Sequence, residues 1–391
     1  MKYNFDKVID RSGTSAEKVE GLKHIWGRTD LIPLWVADMD FATAPFVTDA
    51  IRKRCENEVL GYTGKPDSYY NAIINWVKQR YDLIVTKEVI NFVPGIVPGI
   101  GMAMNCFTQK GDKVMIQPPV YHPFAWVTTR NERTLVINPL RWENGMYRMD
   151  LDAFREQIKG CKLFILCNPH NPGGVVWTEA ELRAIADICY DEKVLVFSDE
   201  IHADLTLPPH THRPFATVSE KARMNSVTFM SPSKAFNMPG LSASHALIFN
   251  EDLRKRFRIY MDAGELDMGH VFAFLSVEAA YSHGTEWLDQ CLAYIQGNID
   301  FVDEFLKKHA PKIKAIRPEA SYLVWLDCRE LELSQKDLNE FFVDKAHLAL
   351  NDGEMFGKEG IGFLRLTVAS PRCIIEKAMK QLADAYQLYI K

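Results

Sequence analysis

The stretch Ser226-Val-Thr-Phe-Met-Ser-Pro-Ser-Lys234-Ala-Phe-Asn-Met-Pro-Gly-Leu241 decides how the chain is read. Val227 to Met230 is a β-rich apolar run bounded by a turn signal, which predicts a short buried strand. It stops at Ser231-Pro232, and Lys234 follows with hydroxyls from Ser231 and Ser233 beside it and Pro239-Gly240 closing the loop. A lysine just beyond the carboxyl end of a buried strand suits covalent chemistry, because desolvation lowers an amine's pKa and a neutral amine attacks carbonyls. Taken alone, the same residues fit a loop lysine in water, where lysines are usually found.

Outward from this strand, short apolar runs alternate with helical patterns. Strands are expected over residues 91–93, 113–117, 134–137, 163–167, 194–197, 227–230 and 244–249. Helices are expected from about 96 to 107, 150 to 159 and 178 to 192, the last opening on a possible capping segment at Thr178. Near-continuous apolar strands alternating with helices predict an α/β fold, with a mostly parallel sheet covered on both faces. Amphipathic helices are expected at 45–58 and 66–81, with Tyr62 exposed in the loop between them. Residues 1–30 read as an irregular arm. Past residue 250, helices at 250–262 and 270–309 lead to strands at 313–316, 322–327 and 362–367, with helices at 334–345 and 372–389. This predicts a smaller α+β unit. The expected division is an arm over 1–45, a large unit over 46–285 and a small one over 286–391.

In an open α/β sheet, ligands sit off the carboxyl ends of the strands. Those ends carry Tyr121, Asn171, Asp199 with His202, and Lys234. Each has a plain structural reading: an aromatic in the core, a turn amide, a capping aspartate, a loop histidine. Together they match the needs of pyridoxal 5'-phosphate. The aldehyde needs a lysine, the pyridine nitrogen a buried carboxylate, the phenolic oxygen an amide, the ring an aromatic to stack on. Its phosphate needs a helix N-terminus and hydroxyls, here Ile96 and Val97 after Gly95, with Ser231 and Ser233.

The motifs Asn168-Pro-His-Asn-Pro-Gly-Gly174, Ser198-Asp-Glu-Ile-His202 and Ser231-Pro-Ser-Lys-Ala-Phe-Asn237 resemble those of fold-type I pyridoxal-phosphate enzymes, over nearly the whole chain. Pro33-Leu-Trp-Val-Ala-Asp-Met-Asp-Phe41 and Asp199-Glu-Ile-His-Ala-Asp-Leu205 are similar to the MalY/PatB-type cystathionine β-lyases (C–S lyases). The resemblance implies a large fold-type I domain plus a smaller one, and Lys234 as the Schiff-base lysine. It places Asp199 on the pyridine nitrogen, Asn171 on the phenolic oxygen, Tyr121 on the ring and His202 close by. It implies Arg365 as the clamp on the substrate carboxylate, with Ala37 beside the substrate. It also implies a cytoplasmic homodimer in which Tyr62 reaches the neighbouring subunit's phosphate. Two departures from the broader aminotransferase pattern are His202, where many members carry tyrosine, and Ser242, in the region where many carry a phosphate-binding arginine. The second leaves the phosphate's charge partner unassigned.

Composition limits the alternatives. The 391 residues are 47% hydrophobic and 25% charged, with a net charge of −5, which gives no support for nucleic-acid binding. The start lacks a signal-peptide apolar region, and no stretch is suited to span a bilayer. The eight cysteines include no Cys-x-x-Cys pair and read as reduced thiols. His210-Thr-His212 is too short a motif for a metal site. The expected activity is β-elimination at a sulfur-bearing amino acid. The rivals are transamination and a regulatory cofactor-binding module, for which the 30–40 residues before the catalytic unit leave too little room.

Overall fold

The computed structural model describes residues 2–390. The apolar runs pair into a seven-stranded sheet. Its order is Ile90–Val93, Ser244–Leu247, Ser226–Met230, Leu195–Asp199, Cys161–Cys167, Lys113–Ile116, Thr134–Ile137. Ser244–Leu247 runs antiparallel to both its neighbours, and the remaining pairs are parallel. The sheet is therefore mostly parallel, as expected.

Strand alternation explains why these runs look uniformly apolar. Leu163, Ile165 and Cys167 face one side with Phe197, Val227 and Phe229, under the helices Ile96–Phe107 and Glu251–Ala263. Phe164, Leu166 and Val196 face the other side, under Leu151–Gln157 and Glu179–Asp191. Both faces are covered, so neither carries the polar alternation of a half-exposed sheet. The Glu179–Asp191 helix opens on a full capping box between Thr178 and Glu181, which satisfies two otherwise free backbone donors. The C-terminal part forms a four-stranded antiparallel sheet in the order Lys314–Ile316, Leu323–Asp327, Phe363–Thr367, Asn351–Asp352.

Several expectations need correction. Residues 1–30 are not wholly irregular, because Glu17–Trp26 is a helix. Its buried positions are Lys18, Gly21 and Leu22, so a lysine and a glycine stand where an amphipathic pattern would show apolar residues. The helix expected over 270–309 is two helices, Val271–His283 and Thr285–His309, broken at Gly284. The helix expected over 334–345 ends at Glu340 in a π turn spanning Phe341–Lys345. Among the features that escaped the sequence reading are the helices Pro123–Arg130 and Glu220–Met224, the parallel pair Ile32–Pro33 with Leu348–Ala349, the hairpin Arg141–Glu143/Met146–Arg148 and the strand Asn351–Asp352.

Gly284 is where the two long helices meet the lysine loop. A Cβ there would come 2.2 Å from the Ala280 carbonyl oxygen and 2.3 Å from the Phe236 ring, two residues past Lys234. Gly284→Ala should lower stability by about 1–3 kcal/mol through overpacking. The measurement is a denaturant midpoint, and an unchanged midpoint would contradict this packing.

Candidate active site

The carboxyl ends of the sheet strands open into a cavity of about 210 Å³. Its lining joins Gly95, Ile96 and Val97, Tyr121, Cys167 and Asn171, Asp199 and His202, Ser233 and Lys234, Ser242 and Ser244, with Ala37 reaching in from the N-terminal segment. Strand register produces this convergence. Cys167 lies opposite Asp199, and Asp199 opposite Phe229, so the three loops that follow start level with one another.

Lys234 Nζ donates to the Ala37 carbonyl at 2.5 Å, and the Tyr322 hydroxyl donates to the same oxygen at 2.9 Å. Burial, helped by the Arg365 charge, lowers the Lys234 pKa to about 8, although Asp38 and Asp199 pull the other way. A substantial neutral fraction therefore exists near neutral pH, which an exposed lysine lacks.

Asp199 shows the opposite side of the same physics. Burial raises its pKa to about 7, and its recorded hydrogen bond is from the Ile201 amide at 3.0 Å. A carboxylate this poorly compensated accepts a cationic ring nitrogen. His202 is neutral, its pKa lowered by burial to about 3, and its buried Nδ1 has no partner among the described residues.

Arg365 is buried and held by three neutral acceptors: Asn351 Oδ1 at 2.6 Å, Asn171 Oδ1 at 3.1 Å and the Trp35 carbonyl at 3.2 Å. Its guanidinium lies over the Phe356 ring at 4.9 Å, and its Nε has no partner among the described residues. Burial lowers its pKa to about 10, still far above neutrality. No acid among the described residues pairs with it, so its charge remains available to a carboxylate. Because Arg365 occupies the Asn171 oxygen, the Asn171 amide nitrogen is the group left for a ligand.

The positions expected from sequence do not all meet in the cavity. Ile96, Val97, Tyr121, Asn171, Asp199, His202, Ser233, Lys234 and Ala37 line the cavity, with Arg365 bonded to Asn171 beside it. Ser231 does not line it; its hydroxyl donates to the Ala243 carbonyl at 2.8 Å and sits 2.9 Å from Ser233 Oγ. Tyr62 is 96% exposed and does not line its own chain's cavity. Residues 210 and 212 separate: His212 Nε2 pairs with buried Glu200 at 2.8 Å, whereas His210 faces Glu319. Sequence reasoning missed Tyr322, Asn351 and Ser244. Asn351 stands directly opposite Arg365 in the antiparallel pair, and only the pairing reveals it.

The residues present fit pyridoxal phosphate on this chemistry. A lysine of lowered pKa, a poorly compensated buried carboxylate and a free amide nitrogen face one space. Gly95, at a φ of +146°, starts a helix whose first backbone amides border the same space.

Comparison with known proteins agrees with this geometry. Residues 29–382 match the family of class I and II aminotransferases, and the chain belongs to that family. It is 37% identical over 384 residues to the cystathionine β-lyase PatB of Bacillus subtilis, covering 98% of this chain and 99% of that one. Among solved structures, the pyridoxal-phosphate-bound C–S lyase of Staphylococcus hominis superposes with a TM-score of 0.91 at 35% identity, covering 99% and 98% of the two chains. A pyridoxal-phosphate-bound protein of Clostridium difficile 630, described provisionally as an aminotransferase, gives 0.96 at 40% identity, covering 98% and 100%.

The raised pKa of Asp199 makes a stability prediction for the cofactor-free protein. Between the unfolded value near 3.8 and about 7, the folded state holds a proton that the unfolded state has lost, so stability falls as pH rises through that window. Asp199→Asn removes this loss. At pH 8 the variant should be the more stable by roughly 2–4 kcal/mol, and the gap should close towards pH 4. Thermal unfolding at both pH values measures it, and a gap independent of pH would contradict it.

Proposed function

We propose that the protein is a pyridoxal 5'-phosphate-dependent carbon–sulfur β-lyase. With water as co-reactant, it cleaves cystathionine, or a related amino acid with sulfur on Cβ, to a thiol, pyruvate and ammonia. The supporting observation is the convergence of Lys234, Asp199 and Arg365 on one cavity, in a chain alike over its length to a cystathionine β-lyase.

Bound pyridoxal phosphate supplies an aldehyde for the substrate amine and a cationic ring that withdraws electrons from Cα. Lys234 would hold the aldehyde at rest. Asp199 would keep a proton on the ring nitrogen, Asn171 would donate to the phenolic oxygen and Tyr121 would pack on the ring. The backbone amides of Ile96 and Val97 and the Ser233 hydroxyl would hold the phosphate, with Ser242 and Ser244 bordering the same space. Arg365 binds the substrate carboxylate and so fixes the direction of the Cα–H bond. Lys234 Nζ, neutral in part near pH 8, removes the Cα proton as general base. Loss of sulfur from Cβ follows.

The reading extends to a cytoplasmic homodimer in which Tyr62 of each copy reaches the phosphate of the other. The support is the exposed cluster Val59, Leu60 and Tyr62. No described helix is long and apolar enough to cross a membrane. The large unit would span 46–285 and the small one 286–391, with the arm before them.

Transamination is the second reading, favoured by the provisional description of the Clostridium difficile relative. The two diverge after Cα proton removal, where the β-lyase expels its leaving group and needs no second substrate. Cystathionine alone should therefore give many pyruvates per active site, and alanine none. A single turnover that resumes only on adding a 2-oxoacid would decide for transamination.

Two substitutions test the assigned roles. Lys234→Ala should reduce kcat by about 10²–10⁴-fold, and borohydride should fix cofactor to the Lys234 peptide only in the parent protein. Arg365→Lys keeps the charge but loses the planar fork, so kcat/KM should fall by about tenfold or more. Wild-type kcat/KM in Arg365→Lys would remove the clamp from the mechanism.

A further inference from the structure

Two consecutive backbone carbonyls in the segment Trp35–Phe41 are bound by two different lysines. The Ala37 oxygen accepts from Lys234 of the cofactor loop at 2.5 Å. The next oxygen, of Asp38, accepts at 3.1 Å from Lys18 of the N-terminal helix Glu17–Trp26. Lys18 is fully buried, which is rare for a lysine and implies paired charges. Its Nζ lies 2.9 Å from Asp40 Oδ2 and 3.5 Å from Asp38 Oδ1. Arg11 binds the same carboxylates, at 2.6 Å to Asp38 and 3.2 Å to Asp40. Two acids and two bases thus form a formally neutral cluster, which also holds the Ser370 hydroxyl on Asp40. Asn237, three residues beyond Lys234, ties the segment from the other side through the Met39 amide and the Met39 and Phe41 carbonyls.

We propose that Lys18 and Arg11 are positioning residues for Lys234. They fix the Ala37–Asp38 backbone so that the Ala37 carbonyl holds the Lys234 amine in place, and they neutralise Asp38 beside it together with Asp40. The inference rests on reading Lys234 as the cofactor and proton-transfer lysine. Asp38 favours the charged form of Lys234, and Lys18 opposes it. Removing a cation from the cluster leaves one uncompensated negative charge next to the amine. The other groups around Lys234 stay as they are: Asp199, His202, Tyr121, Tyr322 and Arg365.

The test uses the full chain without cofactor and with it. In cofactor-free protein, trace acetylation by acetic anhydride across pH, read on the Lys234 peptide by mass spectrometry, gives the pH at which this amine becomes neutral. In Lys18→Met the midpoint should rise by about 0.5–1 pH unit. In the holoenzyme kcat at pH 7.5 should fall about threefold to tenfold, with KM within about threefold. Lys18→Arg should restore most of both. Arg11→Gln, at a part-exposed position, should move the midpoint in the same direction, and it decides the matter alone if Lys18→Met does not fold. A lower melting temperature with the Lys234 midpoint and kcat unchanged in both variants would make the cluster merely structural and overturn the proposal. The two readings fail separately. Turnover persisting in Lys234→Ala would remove Lys234 from the chemistry, whereas the acetylation midpoint reports on the cluster regardless.

Discussion

The parallel pairing of Cys161–Cys167, Leu195–Asp199 and Ser226–Met230 is the constraint on which the rest of the site depends. Each strand is buried on both faces, so a slip of register would drag apolar side chains out of two packed layers at once. With register fixed, Asn171, Asp199 and Lys234 leave the sheet at one level. Their chemistry follows from being dry. Burial moves Lys234 towards its neutral form and Asp199 towards its protonated form, and both sit where they exchange readily with a ligand near neutral pH.

The sheet and the groups at its strand ends were legible in the sequence because each apolar run stops at a strong turn signal. Ser231-Pro232 marks the lysine loop and Pro169 to Gly174 the asparagine loop. Other parts were hidden for definite reasons. Ala37 acts through its carbonyl, which any residue carries. Tyr322 and Asn351 act through tertiary placement, Asn351 by standing across an antiparallel ladder from Arg365. The helix Glu17–Trp26 escaped notice because its inner face carries Lys18. The hairpin at Asn144-Gly145 had a readable signal, since both residues adopt positive φ (50° and 83°) as a tight two-residue turn demands. Its strands of three residues were too short to show alternation.

Charge is handled differently on the two sides of Lys234. Towards the N-terminal segment, Arg11, Lys18, Asp38 and Asp40 cancel one another. Towards the C-terminal sheet, Arg365 is surrounded by neutral acceptors and keeps its full charge. The first arrangement holds the backbone, with Asp38 and Lys18 acting on the amine in opposite directions. The second keeps an unpaid attraction for a carboxylate. An ionic pair at Arg365 would stabilise the empty site and weaken it as a receptor.

The pairing of Ile32–Pro33 with Leu348–Ala349 joins the two ends of the chain around the cavity. Trp35 and Ala37 follow directly from that strand, and their partners Arg365 and Tyr322 lie in the last quarter of the sequence. A chain emerging from the ribosome can build most of the large sheet as it goes, but it cannot complete this clasp until translation is nearly over. Until then Trp35 and Ala37 wait without their C-terminal partners, and a nascent or truncated polypeptide lacks the contacts that hold this edge of the cavity.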